Sequence, residues 1–415
     1  MIEKENKKRL LVLAAGLLQV PVIQKAREMG YYVIAADGDP NAVGLPMADK
    51  AVVANITSED VMLEVARREK INGVIHPCSE VSMNVMGRIN DELHLSGISR
   101  ETAIRATNKH AMREAFEQGG APSPKSMCFL DAEHAWGAFC TEIDGDAILK
   151  PSRNSGSRGI AKITKDICGE QFLELFERAK AESRDKSVML EQFIEGPEFS
   201  VEIIVWQGEV HVLTVTDKKT TEAPYFVELG HNQPSTFPVE TVAAIKEAAI
   251  MGVQALGLNN CAAHAELKVQ NGKPYLMEIG ARLGGDFIST ELTHLSTGID
   301  MVAAAINVAL GIPPCLDPTE PKHGVCIRYF TPQPGRLISF SGFEPFSNPH
   351  IYQMEIYHKP GDIIPEVRSS LDRSGHVIVT HDTVQQAIEL ADNIVQNVKF
   401  RTEKVSKMCG LIDFL

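Results

Sequence analysis

AAHAELKVQNGKPYLMEIGAR, residues 262–282, is the stretch that decides how this chain folds. Apolar residues predict strands over 262–269 and 274–279, and Gln270-Asn271-Gly272-Lys273 between them is typical of a hairpin turn. Each strand carries one acid, Glu266 and Glu278, and the hairpin allows both carboxylates to point to the same side. Surface acids are the alternative, but an unpaired acid inside an apolar strand is costly to bury. Paired carboxylates beside phosphates are how proteins usually hold magnesium, so we predict a metal site.

The chain around this hairpin supplies further charged groups. Arg282 follows Glu278 by four residues, where it is placed to clamp phosphoryl charge. Upstream, Lys150 begins a polar, glycine-containing loop that runs to Gly159 between two predicted strands. Backbone N–H groups of such a loop can turn toward phosphate oxygens. The loop does not match the GxxxxGK[ST] phosphate-binding motif, and by itself it is equally compatible with an ordinary hairpin turn.

The segment from Glu191 to Glu198 is an apolar strand end followed by acids. A backbone edge beside Phe193 could bond an adenine, and Glu198 could accept ribose hydroxyls. A solvated turn with charged flanks is the plain alternative for this segment. Upstream of these segments, Thr107 is predicted to cap a helix that runs to about Gln118.

The first hundred residues alternate strand and helix signals, which predicts a parallel, doubly wound sheet. The first turn, at 14–19, holds one glycine where a dinucleotide fingerprint needs three, so we do not expect NAD there. Ser79 and Glu80, which follow a predicted strand, are expected to face a substrate.

Composition narrows the functional class. The net charge is −13 and no basic stripe occurs, so a nucleic-acid partner is not expected. No apolar run reaches about 18 residues, and the N-terminus lacks a signal-peptide core, so neither a membrane span nor secretion is predicted. Eight cysteines form no CxxC pair, which favours thiols in a reducing cytoplasm.

Together, these segments in this order resemble the ATP-grasp superfamily over essentially the full length. The resemblance implies an α/β fold: a Rossmann-like pre-ATP-grasp domain (1–105), a two-part α+β ATP-grasp domain (106–314, with a nucleotide-gripping subdomain at about 122–193) and a mixed α/β C-terminal subdomain (315–415). It implies ATP with Mg²⁺ as cofactors, Mn²⁺ being an acceptable substitute. The implied ATP contacts are Lys109, Lys150, Ser155, Gly156, Ser157, Gly159, Glu191, Phe193, Ile194 and Glu198. Glu266 and Glu278 are the implied metal ligands, and Arg282 the implied catalytic group.

Two details resemble the branch that contains the L-amino-acid ligases. Many superfamily members carry Glu-x-Asn at the metal site, whereas this chain has Gly280, which leaves the number of metal ions open. The stretch from Phe226 to His231 resembles the Phe-x-Glu-x-Gly-His segment of those ligases. By that resemblance Glu228 binds a substrate ammonium group and His231 assists at the reacting carboxyl, with a histidine in an ordinary loop as the alternative.

The sequence therefore predicts an ATP-dependent carboxylate–amine ligase that forms an amide or peptide bond through an acyl phosphate. Its small-molecule carboxylate and amine substrates are expected to be amino acids, and a homodimer is an open alternative because relatives often dimerise. One rival is an ATP-grasp carboxylase or purine-pathway-type ligase. The non-enzyme rival is a nucleotide-binding regulatory protein with a decayed site.

Overall fold

The structure, a computed structural model, describes residues 7–152, 159–222, 225–319, 322–344 and 348–404. The chain divides into two compact units, Met1–Asp217 with Gln233–Lys322, and Lys218–Asn232 with His323–Leu415. The division assigns 218–232, which the sequence places inside the central domain, to the unit that holds the C-terminal part. The domain boundaries at 105 and 314 stay predictions.

The first unit begins with a parallel α/β layer. Its elements are β1 (Arg9–Leu13), α1 (Val20–Glu28), β2 (Tyr32–Asp37), β3 (Lys50–Val53), α2 (Glu59–Glu69), β4 (Gly73–Ile75), α3 (Met83–Leu93) and α4 (Arg100–Thr107). The strands pair in parallel in the order β3-β2-β1-β4. β1 is apolar on both faces because both faces are covered, and Leu10–Leu13 are fully buried. The predicted Rossmann-like layer is confirmed.

An antiparallel α+β layer follows. Its elements are α5 (Lys109–Gln118), β5 (Ser126–Phe129), α6 (Ala132–Glu142), β6 (Ala147–Pro151), β7 (Ala161–Ile163), α7 (Gly169–Glu182) and β8 (Val188–Gln192). The strands are ordered β5-β8-β6-β7. A core that includes Phe139, Phe172 and Phe176 packs α6 and α7 against this sheet.

The end of α4 corrects one sequence prediction. Thr107 does not begin the next helix; it is the last residue of α4. Asn108 is the N-cap instead, and its side chain accepts hydrogen bonds from the backbone N–H groups of His110 and Ala111 at 3.0 and 3.2 Å. Asparagine caps these N–H groups as well as threonine would, so the sequence pattern does not decide which of the two adjacent residues is the N-cap.

The rest of the first unit carries the hairpin quoted above. Its elements are β9 (Glu198–Trp206), most of β10 (Glu209–Thr220), α8 (Val239–Leu256), β12 (Cys261–Gln270), β13 (Lys273–Gly280), a π-helical turn (Ile288–Leu292), α9 (Thr293–Thr297) and α10 (Met301–Ala309). Between β10 and α8 lies β11 (Glu228–Gln233), which belongs to the second unit except for Gln233. β10 and β11 contain the points at which the chain passes between the units. β9, β12 and β13 are antiparallel neighbours, and Asn271 and Gly272 turn the hairpin with φ of 51° and 75°. Positive φ at both positions is the geometry that the Asn-Gly pair predicts.

The second unit is a small α/β body. Its further elements are β14 (Gly324–Tyr329), β15 (Gly335–Ser341), β16 (Ile351–Ile356), β17 (Ile363–Ile364), β18 (Gly375–His381), α11 (Val384–Asn397) and β19 (Lys399–Glu403). β18 lies between β14 and β16, while β15 pairs with β17 and β19. The buried residues Ala387 and Ala391 of α11 pack in one core with Val377 and Val379 of β18.

None of the described helices combines the length and the hydropathy that crossing a bilayer requires.

Candidate active site

The hairpin of β12 and β13 places the two predicted metal ligands opposite each other. Glu266 and Glu278 are register partners across the antiparallel pair, and a bulge follows Glu266 immediately. Directly opposed residues project from the same face of a sheet, so both carboxylates serve one location. Two carboxylates at this spacing suit a hard divalent cation.

Lys109 completes this charge arrangement. Its Nζ donates to Glu278 Oε2 at 3.0 Å from the N-terminus of α5. Burial and the charge of Glu266 would raise the pKa of the Glu278 carboxyl, but Lys109 outweighs them and holds it below its usual value. Glu278 is therefore ionised at neutral pH, as a metal ligand must be.

Arg282 and Glu80 meet beside this pair. Arg282 Nη2 lies 3.4 Å from Glu80 Oε1, and Arg282 Nη1 donates to the Leu283 carbonyl at 3.2 Å. Burial and the Glu278 charge raise the pKa of Glu80, against the opposite effect of Arg282. The loop after β4, which the sequence predicted to face a substrate, thus brings Glu80 to the metal carboxylates. The Ser79 hydroxyl accepts a long 3.5 Å hydrogen bond from the Val81 N–H of the same loop.

Gly280 makes space for Arg282. A Cβ at position 280 would lie 3.2 Å from Arg282 Cγ, Nε and Cζ, tighter than ordinary contact. A residue with a Cβ at 280 would therefore require the Arg282 side chain to shift by a few tenths of an ångström.

A buried ion cluster holds Lys150, one of the predicted ATP contacts. Glu191 is 1% exposed and accepts from Arg113 Nε at 2.9 Å and from Lys150 Nζ at 2.5 Å, with the Ser126 hydroxyl at 3.2 Å. Burial would raise the pKa of Glu191, but the two cations lower it to about 2. Burial lowers the pKa of Lys150 to about 8 despite Glu191. The Glu191 carboxylate is thus committed to these partners, and an adenine contact by Glu191 stays a prediction.

Three further predicted nucleotide residues, Phe193, Ile194 and Glu198, lie just before or at the start of β9. The Phe193 ring is covered by Lys162 Nζ at 4.1 Å and approached by Lys268 Nζ at 5.4 Å, and Lys268 pairs with Glu198 at 3.0 Å. Ile194 is buried. Gly159 has φ of 74°, a left-handed conformation that suits glycine. Ser155, Gly156 and Ser157 lie outside the described residues.

The second unit contains the two predicted amino-acid contacts. Glu228 pairs with Lys218 Nζ at 2.7 Å, so its charge is already balanced by a lysine that the sequence analysis did not single out. His231 is fully buried and meets the Tyr329 ring edge-on at 6.5 Å. Arg373 stacks on the same ring at 3.6 Å. The roles of Glu228 and His231 stay predictions.

Sequence reasoning missed a buried hydrogen-bond network next to the metal pair. His264 Nδ1 lies 2.5 Å from Glu202 Oε1, and His264 Nε2 lies 3.5 Å from Glu266 Oε1. Burial would lower the pKa of His264, but Glu202 and Glu266 raise it to about 9, so the ring is an imidazolium at neutral pH. The available signal was a charged residue inside the apolar run VEIIVW at 201–206, and a histidine on the same strand face as Glu266.

Comparison with known proteins places two domain types on the chain. Residues 143–291 match the ATP-grasp domain, and residues 328–403 match the L-amino acid ligase C-terminal domain 2. The chain is 26% identical over 317 residues to alanine–anticapsin ligase of Bacillus subtilis (strain 168), covering 71% of this chain and 66% of that protein. It is 26% identical over 322 residues to dapdiamide A synthase of Enterobacter agglomerans, covering 73% and 74%.

Among solved structures, L-amino acid ligase from Bacillus licheniformis superposes with a TM-score of 0.79 at 22% identity, covering 96% of this chain and 99% of that one. That likeness shows a shared fold. Of three curated relatives that it matches, the chain spans 66%, 51% and 41% of the length.

Proposed function

Because residues 143–291 match the ATP-grasp domain, we propose that the chain is an ATP-grasp ligase that joins a carboxylate to an amine at the expense of ATP, with amino acids as substrates. The observation that carries the proposal is the cross-strand pair Glu266 and Glu278 with Lys109 bound to it. The adjoining Glu80–Arg282 pair supplies a cation next to the same carboxylates. The L-amino acid ligase domain at 328–403 supports amino acids as the substrate class.

The residues present fit a divalent cation. Glu266 and Glu278 offer hard oxygen ligands, and Mg²⁺, or Mn²⁺ in its place, would neutralise charge on the transferring phosphoryl group when bound there. Lys109, which donates to Glu278, and Lys150 are the proposed contacts to the nucleotide phosphates. A phosphate arriving at Lys150 would compete with Glu191 for the ammonium group.

In the proposed reaction the substrate carboxylate attacks the γ-phosphorus of ATP, releasing ADP and forming an acyl phosphate. The amine then attacks the acyl carbon, the C–O bond to phosphate breaks, and the amine loses its proton. Phosphoryl transfer depends mainly on positioning and charge neutralisation. Arg282 is the group that stabilises the oxyanion of the tetrahedral intermediate, because its charge lies beside the metal carboxylates. Glu228 and His231 are the proposed contacts to the amino-acid substrate.

The test is an ADP-release screen over pairs of amino acids, with and without bicarbonate, followed by mass spectrometry of the product. We expect ADP release that needs both amino acids and a product mass equal to their sum less one water. ADP release that needs bicarbonate and gives no condensed product would favour a carboxylase. Tight ATP binding without turnover over a broad panel would favour a regulatory protein.

A further inference from the structure

Three buried residues of the first unit form a network, which we call the buried triad: Glu202, His264 and Ser289. Glu202 on β9 and His264 on β12 are register partners, joined by a 2.5 Å contact from His264 Nδ1 to Glu202 Oε1. The Ser289 hydroxyl donates to Glu202 Oε2 at 2.7 Å. Glu202 and Ser289 are fully buried and His264 is 4% exposed. Each oxygen of the Glu202 carboxylate is thus occupied by a partner from a different segment.

One end of the buried triad lies at the metal pair. His264 Nε2 faces Glu266 Oε1 at 3.5 Å. Because Glu202 fixes the imidazole through Nδ1, the direction of Nε2 is fixed as well. The ring therefore defines where one oxygen of Glu266 lies.

The other end lies on the backbone that follows Arg282. The Ser289 hydroxyl accepts from the Gly284 N–H at 2.7 Å. A Cβ on Gly284 would lie 2.6 Å from His264 Nδ1 and 3.0 Å from Glu202 Oε2, so this backbone lies directly against the triad. Arg282 is two residues upstream.

Stability alone does not account for these groups. A buried carboxylate is expensive to desolvate, and apolar residues of similar size are often no less stable at such sites. What the triad adds is direction, because its outer contacts are the ion pair of His264 with one proposed metal ligand and the hydrogen bond of Ser289 to the segment that carries the proposed oxyanion group. Partners of this kind behind metal ligands orient them.

We infer that the buried triad is a positioning device, which holds the Glu266 carboxylate and the backbone after Arg282 in a fixed relation. This inference rests on the proposed function, because it takes Glu266 as a metal ligand. In this account the triad residues act through Glu266 and the backbone after Arg282.

The test compares Ser289→Ala and Glu202→Gln with Ser296→Ala. Ser296 is a matched control, since it is a buried serine of α9 whose hydroxyl donates to Gln233 rather than to the triad. Mn²⁺ binding in the presence of a non-hydrolysable ATP analogue is titrated by electron paramagnetic resonance, and thermal midpoints are recorded in parallel. The KM for Mg²⁺ and kcat are measured separately in the ADP-release assay.

We expect Mn²⁺ affinity to fall about 10- to 100-fold in Ser289→Ala and Glu202→Gln. The KM for Mg²⁺ should rise in the same two variants. Ser296→Ala should match the wild-type protein in Mn²⁺ affinity and in the KM for Mg²⁺. Glutamine at 202 has the shape of glutamate, but its amide N–H would point at the Ser289 hydroxyl. The hydroxyl proton of Ser289 would then lose the carboxylate oxygen that accepts it. If Glu202→Gln does not fold, Ser289→Ala decides the question.

Mn²⁺ affinity within twofold of wild type in folded Ser289→Ala would overturn the inference, as would an equal loss in Ser296→Ala. A wild-type protein that binds no Mn²⁺ with the ATP analogue would overturn the proposed function, and this inference with it. Normal wild-type binding with unchanged variants would overturn the inference alone.

Discussion

Replacing Glu191 with glutamine should destabilise the antiparallel layer severely, because two buried cations lose their shared anion. Glu191 receives charge-assisted hydrogen bonds from Arg113 at 2.9 Å and from Lys150 at 2.5 Å. Such bonds contribute roughly 1.5–3 kcal/mol each. Breaking a buried ion pair by removing one partner costs about 3–5 kcal/mol. We therefore expect the free energy of unfolding to fall by about 3–5 kcal/mol at pH 7.

The pKa of Glu191 gives the same magnitude by a second route. Its folded-state value of about 2 lies below the ordinary 4.5, so the ionised carboxylate is bound more tightly in the folded protein. The difference corresponds to roughly 3 kcal/mol. Because the folded pKa is depressed, this contribution is complete above pH 4.5 and is lost as the pH falls toward 2. The gap between the wild-type protein and Glu191→Gln should narrow below pH 4.5.

The assay uses Trp136 as a local reporter. Only two tryptophans occur in the sequence, so Trp206→Phe in both proteins leaves Trp136 alone. Its ring contacts Phe172, with centroids 5.1 Å apart, in the core beneath the sheet that carries Glu191. Urea titrations followed by its fluorescence at pH 7 and pH 3.5 give the two free energies. Glu195→Gln, at an exposed position three residues beyond β8, is the control and should lie within about 0.5 kcal/mol of its parent.

This account of Glu191 would be refuted if Glu191→Gln lowered the free energy of unfolding by less than about 1 kcal/mol at pH 7 and the difference between the two proteins did not narrow at pH 3.5. Saturating ATP should also reduce the loss if phosphate replaces the carboxylate at Lys150. That rescue depends on nucleotide binding, whereas the destabilisation does not.

Three further results are expected. Glu278→Gln should abolish ADP formation while circular dichroism stays that of the wild type, since Lys109 can still donate to the amide oxygen; near wild-type turnover would contradict the metal assignment. His76 is 1% exposed, and burial lowers its pKa to about 4. The free energy of unfolding should therefore fall by roughly 3 kcal/mol as the pH drops from 6.5 to 4, because the unfolded chain binds the proton more readily in that range. A His76→Gln variant that keeps the full slope would contradict this. Gly196→Ala should lower the thermal midpoint by several degrees, because φ is 137° and the Cβ would lie 2.0 Å from the Val269 carbonyl; an unchanged midpoint would show that the turn relaxes freely.

The sequence by itself determined the elements and their class. The apolar run Leu10–Leu13 and the long helical pattern of α8 leave few alternative secondary structures. A strand buried on both faces is apolar throughout, and a helix buried along one stripe repeats its apolar residues with the helical period. The Asn271-Gly272 turn fixed the hairpin. These are local effects, so they can be predicted from neighbouring residues. The turn alone would set Glu266 opposite Met277, and it is the bulge after Glu266, seen only in the structure, that sets Glu266 opposite Glu278.

Only the tertiary structure decided which charges meet. Glu191 pairs with Arg113, 78 residues away, and Arg282 meets Glu80 from 202 residues away. Glu202 and His264 meet because β9 and β12 are neighbours in one sheet, which no local pattern encodes. Strand order and register set these distances, and the charge of one group sets the pKa of the next across them. The sequence therefore supplied the proposed metal ligands together with Lys109 and Arg282, and the fold supplied the partners that these charges meet and the contact between Glu202 and His264.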